Sequence, residues 1–184
     1  MNIILASKSP RRKELLNKII SNFKIVEANI EEDYDSSLKL TKIPETIALN
    51  KALKVQEEYK NDLIIAADTI VEINHKILGK PQNQQEAYEM LKSLSNQTHQ
   101  VITGVCILFK NKKIVFHATT KVTFYKLSEE QISRYIGTKS PFDKAGGYGI
   151  QDSGALFVKK INGCYYNVMG LPIALLNKKL SKIL

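Results

Sequence analysis

Apolar positions along this chain follow two rhythms, and the alternation between them outlines its elements. Unbroken apolar runs at 3–6 and 62–73 read as strands buried on both faces. Between them lie two helical stripes, one of Leu15, Leu16, Ile19 and Ile20 after Pro10, the other of Ile47, Ala48, Ala52, Val55 and Tyr59 after Pro44 and Glu45. A strand over 23–28 separates these helices. The run at 62–73 then turns through Asn74, His75 and Lys76 and returns as far as Leu78. Asn83 and Glu86 cap a helix with Ala87, Met90, Leu91 and Leu94 on one face. Two β-rich stretches follow, 98–109 and 113–126, as antiparallel neighbours about Asn111 and Lys112. Ser128 and Gln131 open a short helix bearing Ile132, Tyr135 and Ile136, with Arg134 on its exposed face. A hairpin is expected from 155–160 and 164–168, turning at Asn162 and Gly163. Gly170, Leu171 and Pro172 begin a final helix.

No repeat, low-complexity tract or linker interrupts this order, so 1–184 is read as one domain with two lobes. At 184 residues and 43% hydrophobic, the chain is long enough to bury a core of its own. It has no apolar run of membrane-spanning length and no signal-peptide core, so a cytoplasmic protein without a membrane partner is expected. Cys106 and Cys164 lack metal-ligand spacing and read as reduced thiols. The net charge of +9 favours anionic ligands, but the lysines are scattered and accompanied by 18 acids, which makes a weak case for nucleic acid.

Local clusters say more than the total. Only three of the 27 basic residues are arginines, and two of them, Arg11 and Arg12, sit together at the first strand-to-helix turn. Ser9 is a good N-cap and Pro10 suits the first helical position, so the free amides of that turn face the end of the strand. Such a helix start favours phosphate, and the surrounding Lys8, Arg11, Arg12 and Lys13 oppose the helix dipole unless an anion is bound. Glu31, Glu32, Asp33 and Asp35 form an acidic cluster that reads equally as a solvated loop or as a Mg²⁺ site. Lys51 lies on the apolar stripe of its helix, where it must snorkel to the edge or meet an anion. Asp68 interrupts a buried strand, a costly position for a carboxylate unless it is paired or holds metal. It is the best single candidate for chemistry. Lys80 follows Gly79 into a turn, and the glycine-rich stretch 143–151 ends in Gln151, whose amide can read the edge of a base. His75 reads as an exposed turn residue, and His99 and His117 have no visible catalytic partner.

Taken together, Leu5-Ala6-Ser7-Lys8-Ser9-Pro10-Arg11-Arg12-Lys13-Glu14-Leu15-Leu16, Ala67-Asp68-Thr69, Gly79-Lys80-Pro81, the run 143–151 and Gly170-Leu171-Pro172 resemble the Maf family of septum-formation-associated nucleoside triphosphate pyrophosphatases. The resemblance implies an elongated α/β, inosine-triphosphatase-like fold, with a mixed central sheet, flanking helices and a cleft between two lobes. It implies a homodimer and hydrolysis of a nucleoside triphosphate to monophosphate and pyrophosphate. By position, Asp68 matches the family's general base, and Ser7, Arg12, Glu32, Lys51 and Lys80 match its substrate-binding residues. Arg11, Thr69 and Gln151 match the branch acting on dTTP and UTP. Two departures stand out. Asp152 and Ser153 replace smaller residues after the glutamine, which puts an extra acid beside the base-reading position, and Cys164 replaces a common serine.

The chemistry implied is in-line attack of water on the α-phosphorus. Arg12, Lys51 and Lys80 would clamp the triphosphate, and Glu32 and Asp68 would hold Mg²⁺ or Mn²⁺ while Asp68 orients or deprotonates the water. The chain lacks a Walker-type phosphate loop, so side chains and the helix start must grip the phosphates. The rival expectation is a basic nucleic-acid-binding or cell-division regulatory protein that uses the net charge without turnover. It finds no aromatic RNA-binding motif and no dense basic stripe here.

Overall fold

The computed structural model describes residues 1–35 and 37–183. It is a mixed α/β structure built on a seven-stranded sheet. Strand β1 (Ile3–Leu5) runs directly into helix α1 (Pro10–Asn17), whose first turn is set by Pro10 and by the Ser9 hydroxyl, which accepts from the Arg12 amide. The chain then forms β2 (Lys24–Ile25), parallel to β1 on one side, and helix α2 (Lys42–Gln56) returns it to β3 (Leu63–Ile73), parallel to β1 on the other. The chain passes from β1 to one side and then crosses back over it to the other, which makes the carboxyl end of β1 a topological switch point. Right-handed crossovers in opposite directions put α1 and α2 on opposite faces of the sheet.

The α2 face is where the sequence stripe is spent. Ala48, Ala52 and Val55 pack on Ile4, Ala6, Ile64 and Ala66, with Cys106 and Leu108 in the same cluster and Tyr59 at its margin. Each aliphatic side chain as large as valine contributes about 1.5–3 kcal/mol when fully buried. Because side chains alternate along β3, the even-numbered residues point to α2 and the odd-numbered ones to the α1 face.

The remaining elements are β4 (Lys76–Leu78), α3 (Gln84–Leu94), β5 (Thr98–Phe109), β6 (Lys112–Phe124), α4 (Glu129–Gly137), β7 (Val158–Asn162), α5 (Tyr165–Met169) and α6 (Ile173–Leu180). The sheet order is β2-β1-β3-β5-β6-β7, with β4 antiparallel to β3 and β7 antiparallel to β6. Asn83 caps α3, and Ser128 and Gln131 complete a reciprocal capping box on α4. The chain divides into two compact units. Met1–Thr69, Thr103–Ala118 and Gly170–Leu184 form the first, and Ile70–Ile102 with Thr119–Met169 form the second, so the boundary falls inside β3, β5 and β6.

Three expectations are corrected. Helix α1 ends at Asn17, and Ile19 and Ile20 lie in a following turn whose amides bond to the Leu16 carbonyl. The strand expected over 23–28 shrinks to two residues, since its partner β1 ends at Leu5. The hairpin expected over 155–168 does not form. Residues Ser153–Phe157 make a 3-10 turn, β7 pairs with β6, and 165–169 is the helix α5. Strand-forming Tyr165, Tyr166 and Val168 are overruled by tertiary bonds. Asn167 donates from Nδ2 to the Val101 carbonyl and to Thr120 Oγ1, and that hydroxyl also bonds the backbone of Cys164.

Candidate active site

The switch point at the end of β1 gathers most of the candidate residues, and they fall into two clusters on opposite faces of β3. On the α2 face, Lys51 is only 7% exposed and its Nζ meets two carboxylates, Asp68 Oδ1 at 2.8 Å and Glu32 Oε1 at 2.7 Å. The choice between snorkelling and meeting an anion is therefore decided in favour of the anion. Helix α2 puts Lys51 on its buried stripe, β3 carries Asp68 three residues past the last residue paired to β1, and the acidic loop supplies Glu32. Asp68 is as buried as Lys51, so each charge depends on the other.

On the α1 face, Arg12 is held by three acceptors. Its Nε donates to the Gly170 carbonyl at 3.0 Å, Nη1 to Ser7 Oγ at 3.3 Å and Nη2 to Thr69 Oγ1 at 3.0 Å. Thr69 Oγ1 also bonds Thr103 Oγ1 at 3.0 Å. A guanidinium carries five N–H donors, so these three bonds leave two for an anion among the described residues. Burial pulls the Arg12 guanidinium below its ordinary pKa, and the charge of Asp68 partly offsets this. The two clusters thus share one electrostatic neighbourhood. Ser7 also accepts from the Ser9 amide at 3.2 Å, tying the end of β1 to the start of α1. Lys8 turns outward to Glu27 at 2.8 Å, and Arg11 is half-buried within α1.

The second unit contains the remaining two candidates. Lys80 is exposed beside a buried Pro81, and the residue before it, Gly79, accepts from the Gly146 amide at 2.9 Å. Gln151 is exposed at the end of the glycine-rich stretch. The structure therefore brings Ser7, Arg12 and Thr69 together, brings Glu32, Lys51 and Asp68 together, and places Lys80 and Gln151 in the other unit.

Several participants were invisible in the sequence. Thr103 and the Gly170 carbonyl complete the Arg12 cluster, and nothing local to either residue signals this. His117 and Glu45 also find each other, Nδ1 to Oε1 at 2.6 Å, with Lys42 on the other carboxylate oxygen at 2.6 Å. Burial works against the Glu45 charge, but these two hydrogen bonds outweigh it and the carboxyl sits below its usual range. His99, 1% exposed, bonds Tyr148 Oη at 2.7 Å.

The donors present fit a divalent cation in part. Glu32 and Asp68 already converge on a single positive charge, while among the described residues no three His, Cys, Asp or Glu side chains form a metal-holding group. Two carboxylates would be the protein's share of a Mg²⁺ shell that water and phosphate oxygens complete, the usual arrangement in nucleotide enzymes. Among the described residues, no helix is long and apolar enough to cross a membrane.

Comparison with known proteins agrees in extent with the motifs. A family described as Maf-like protein matches residues 2–183. A dTTP/UTP pyrophosphatase of Carboxydothermus hydrogenoformans is 50% identical over 182 residues, covering 98% of this chain and 97% of that one. A dTTP/UTP pyrophosphatase of Bacillus cereus is 49% identical over 180 residues, covering 98% and 94%. The solved structure of the Staphylococcus aureus Ham1 protein aligns with a TM-score of 0.46 at 14% identity, over 67% of this chain and 72% of that one.

Proposed function

The chain belongs to the Maf family, and on that premise we propose that it hydrolyses dTTP and UTP to the monophosphate and pyrophosphate. The observation that carries this reading is the convergence of Glu32 and Asp68 on Lys51 at the switch point of the sheet, with Arg12 fixed on the opposite face of the same strand. In α/β sheets this is where ligands bind.

In this reading Asp68 is the base. It is held at one oxygen by Lys51, which leaves the other to accept a proton from water or to orient it toward the α-phosphorus. Arg12 presents its two remaining N–H groups to phosphate oxygens, and the bonds to Ser7, Thr69 and Gly170 prevent it from following the leaving group. Lys51 offsets the negative charge of the two carboxylates until the triphosphate arrives. It then has phosphate oxygens as alternative acceptors. A bound Mg²⁺ or Mn²⁺, held by Glu32 and Asp68, would supply charge neutralisation on the triphosphate. Lys80, as a further phosphate contact, and Arg11, Thr69 and Gln151, as selectors of uracil or thymine, rest on the family resemblance, as do a homodimer and a cytoplasmic location.

The test is turnover of a panel of nucleoside triphosphates with Mg²⁺ or Mn²⁺, resolving monophosphate from diphosphate, for the wild type and Asp68→Asn. Pyrophosphate release preferring dTTP or UTP, with the variant down by about a hundredfold or more, supports the reading. Diphosphate products would overturn attack at the α-phosphorus.

A further inference from the structure

The reaction leaves a buried charge unexplained. Lys144 is 8% exposed, and its Nζ lies 2.6 Å from the Ser140 carbonyl, 3.0 Å from Ser140 Oγ, 2.7 Å from Asp143 Oδ1 and 3.4 Å from Asp152 Oδ2. Asp152 is the residue that departs from the family pattern beside Gln151. Its carboxylate is turned onto this cluster. Oδ2 accepts from Ser140 Oγ at 2.6 Å, while Oδ1 accepts from Tyr135 Oη at 3.1 Å and from the Gly154 amide at 2.8 Å. Burial would raise the Asp152 carboxyl, but the bonds from Ser140 and Gly154 and the charge of Lys144 hold it below its usual range.

The same cluster grips the backbone on both sides of Gln151. Tyr135 Oη accepts from the Gly149 amide at 2.9 Å, and Asp152 takes the Gly154 amide. The fit has no slack. A Cβ at Gly149 would overlap the Asp152 carboxylate and lie 2.7 Å from Lys144 Cε, and one at Gly154 would lie 2.6 Å from the Gly149 carbonyl. On the other side, Gly146, at φ 71°, donates to the Gly79 carbonyl next to Lys80.

We propose that Asp152, held by Ser140, Tyr135 and Lys144, is a positioning residue for base recognition, fixing the backbone from which Gln151 reads uracil or thymine. This rests on Gln151 being the base reader in the function proposed above. The physical need is specific. Uracil and thymine offer an acceptor at O4 beside the N3–H donor, and cytosine offers the reverse, a donor amino group beside an acceptor nitrogen. A glutamine amide has a donor at one end and an acceptor at the other, so by turning over it reads either pattern. Discrimination therefore comes from the frame that holds the amide. The extra acid beside Gln151 contributes to that frame, its two oxygens engaged by Ser140, Tyr135, the Gly154 amide and Lys144.

The experiment measures kcat and KM for UTP and CTP, with thermal melting, for the wild type, Asp152→Ala, Asp152→Asn and Gln151→Ala. Asp152→Ala is expected to reduce the preference for UTP over CTP in kcat/KM by about tenfold or more, mainly through KM, with Asp152→Asn retaining part of it. Gln151→Ala should lose the preference as well. A folded Asp152→Ala that keeps the wild-type preference while Gln151→Ala loses it overturns the proposal and leaves the proposed function standing. If both variants keep it, Gln151 is not the reader and the proposal falls too. Absence of any preference in the wild type would sink the pyrimidine reading itself. If Asp152→Ala does not fold, Ser140→Ala, which removes one bond from Asp152 and one from Lys144, must shift the ratio in the same direction.

Discussion

Lys51 and Asp68 are joined by a 2.8 Å hydrogen bond with both side chains about nine-tenths buried, so neither charge has water to fall back on. Glu32 sits on the same ammonium, so the two carboxylates share it.

Removing that lysine should therefore expose the carboxylates' need for a cation. Lys51→Met is expected to lose about 3–5 kcal/mol of stability, the cost of stranding a buried charge. Mn²⁺ without nucleotide should then raise the melting temperature of the variant more than that of the wild type. Thermal melting with and without Mn²⁺ checks both, and equal Mn²⁺ effects would count against Glu32 and Asp68 as the metal-holding pair.

Gly104, in β5, makes a second prediction. A Cβ there would overlap the backbone of Pro44 and Glu45 in the first turn of α2, and backbone cannot swing aside as a side chain can. Gly104→Ala should cost about 1–3 kcal/mol. Because α2 carries Lys51, activity should fall further than melting accounts for. A variant that melts like the wild type would show that α2 tolerates the shift.

His99 predicts how stability depends on pH. Burial lowers its pKa from 6.5 to about 4, and among the described residues its Nδ1 has no hydrogen-bond partner to receive a proton's donor bond. The unfolded chain takes up this proton more readily than the folded one, so the contribution is complete above pH 6.5 and lost as pH falls toward 4. The loss amounts to about 3 kcal/mol. Denaturant melts between pH 7 and pH 4 should show this slope, and His99→Gln should flatten it.

How much of this was legible in the sequence depends on the range of the interaction. The Ser9 and Asn83 caps and the Ser128 capping box are local, and each formed where its residues stood. Lys51 and Asp68 stood out as candidates too, because a charge inside an apolar rhythm is conspicuous, although the rhythm leaves open whether Lys51 snorkels or stays buried. What each would meet was not legible. Nothing in Glu31-Glu32-Asp33 marks the middle residue as the partner of a lysine 19 positions on, and His117 is 72 residues from Glu45. Helix α5 misled for the same reason, since the bonds of Asn167 that select a helix there reach to Val101 and Thr120. The sequence showed Asp152 only as an extra acid beside Gln151, and its partners Ser140, Tyr135 and Lys144, 8 to 17 positions back, carry no local signal of the contact.

The two ends of the sheet give the scattered lysines another meaning. One end is β2, two exposed residues long and beginning with Lys24, and the other is β7, where Lys159 and Lys160 are exposed. A row of unpaired backbone donors and acceptors is a template on which another copy can add a strand, and a short edge dressed with lysine refuses that addition through repulsion and desolvation. Part of the chain's positive charge thus serves colloidal stability. It protects an open sheet from growing into a filament, without requiring any anionic partner.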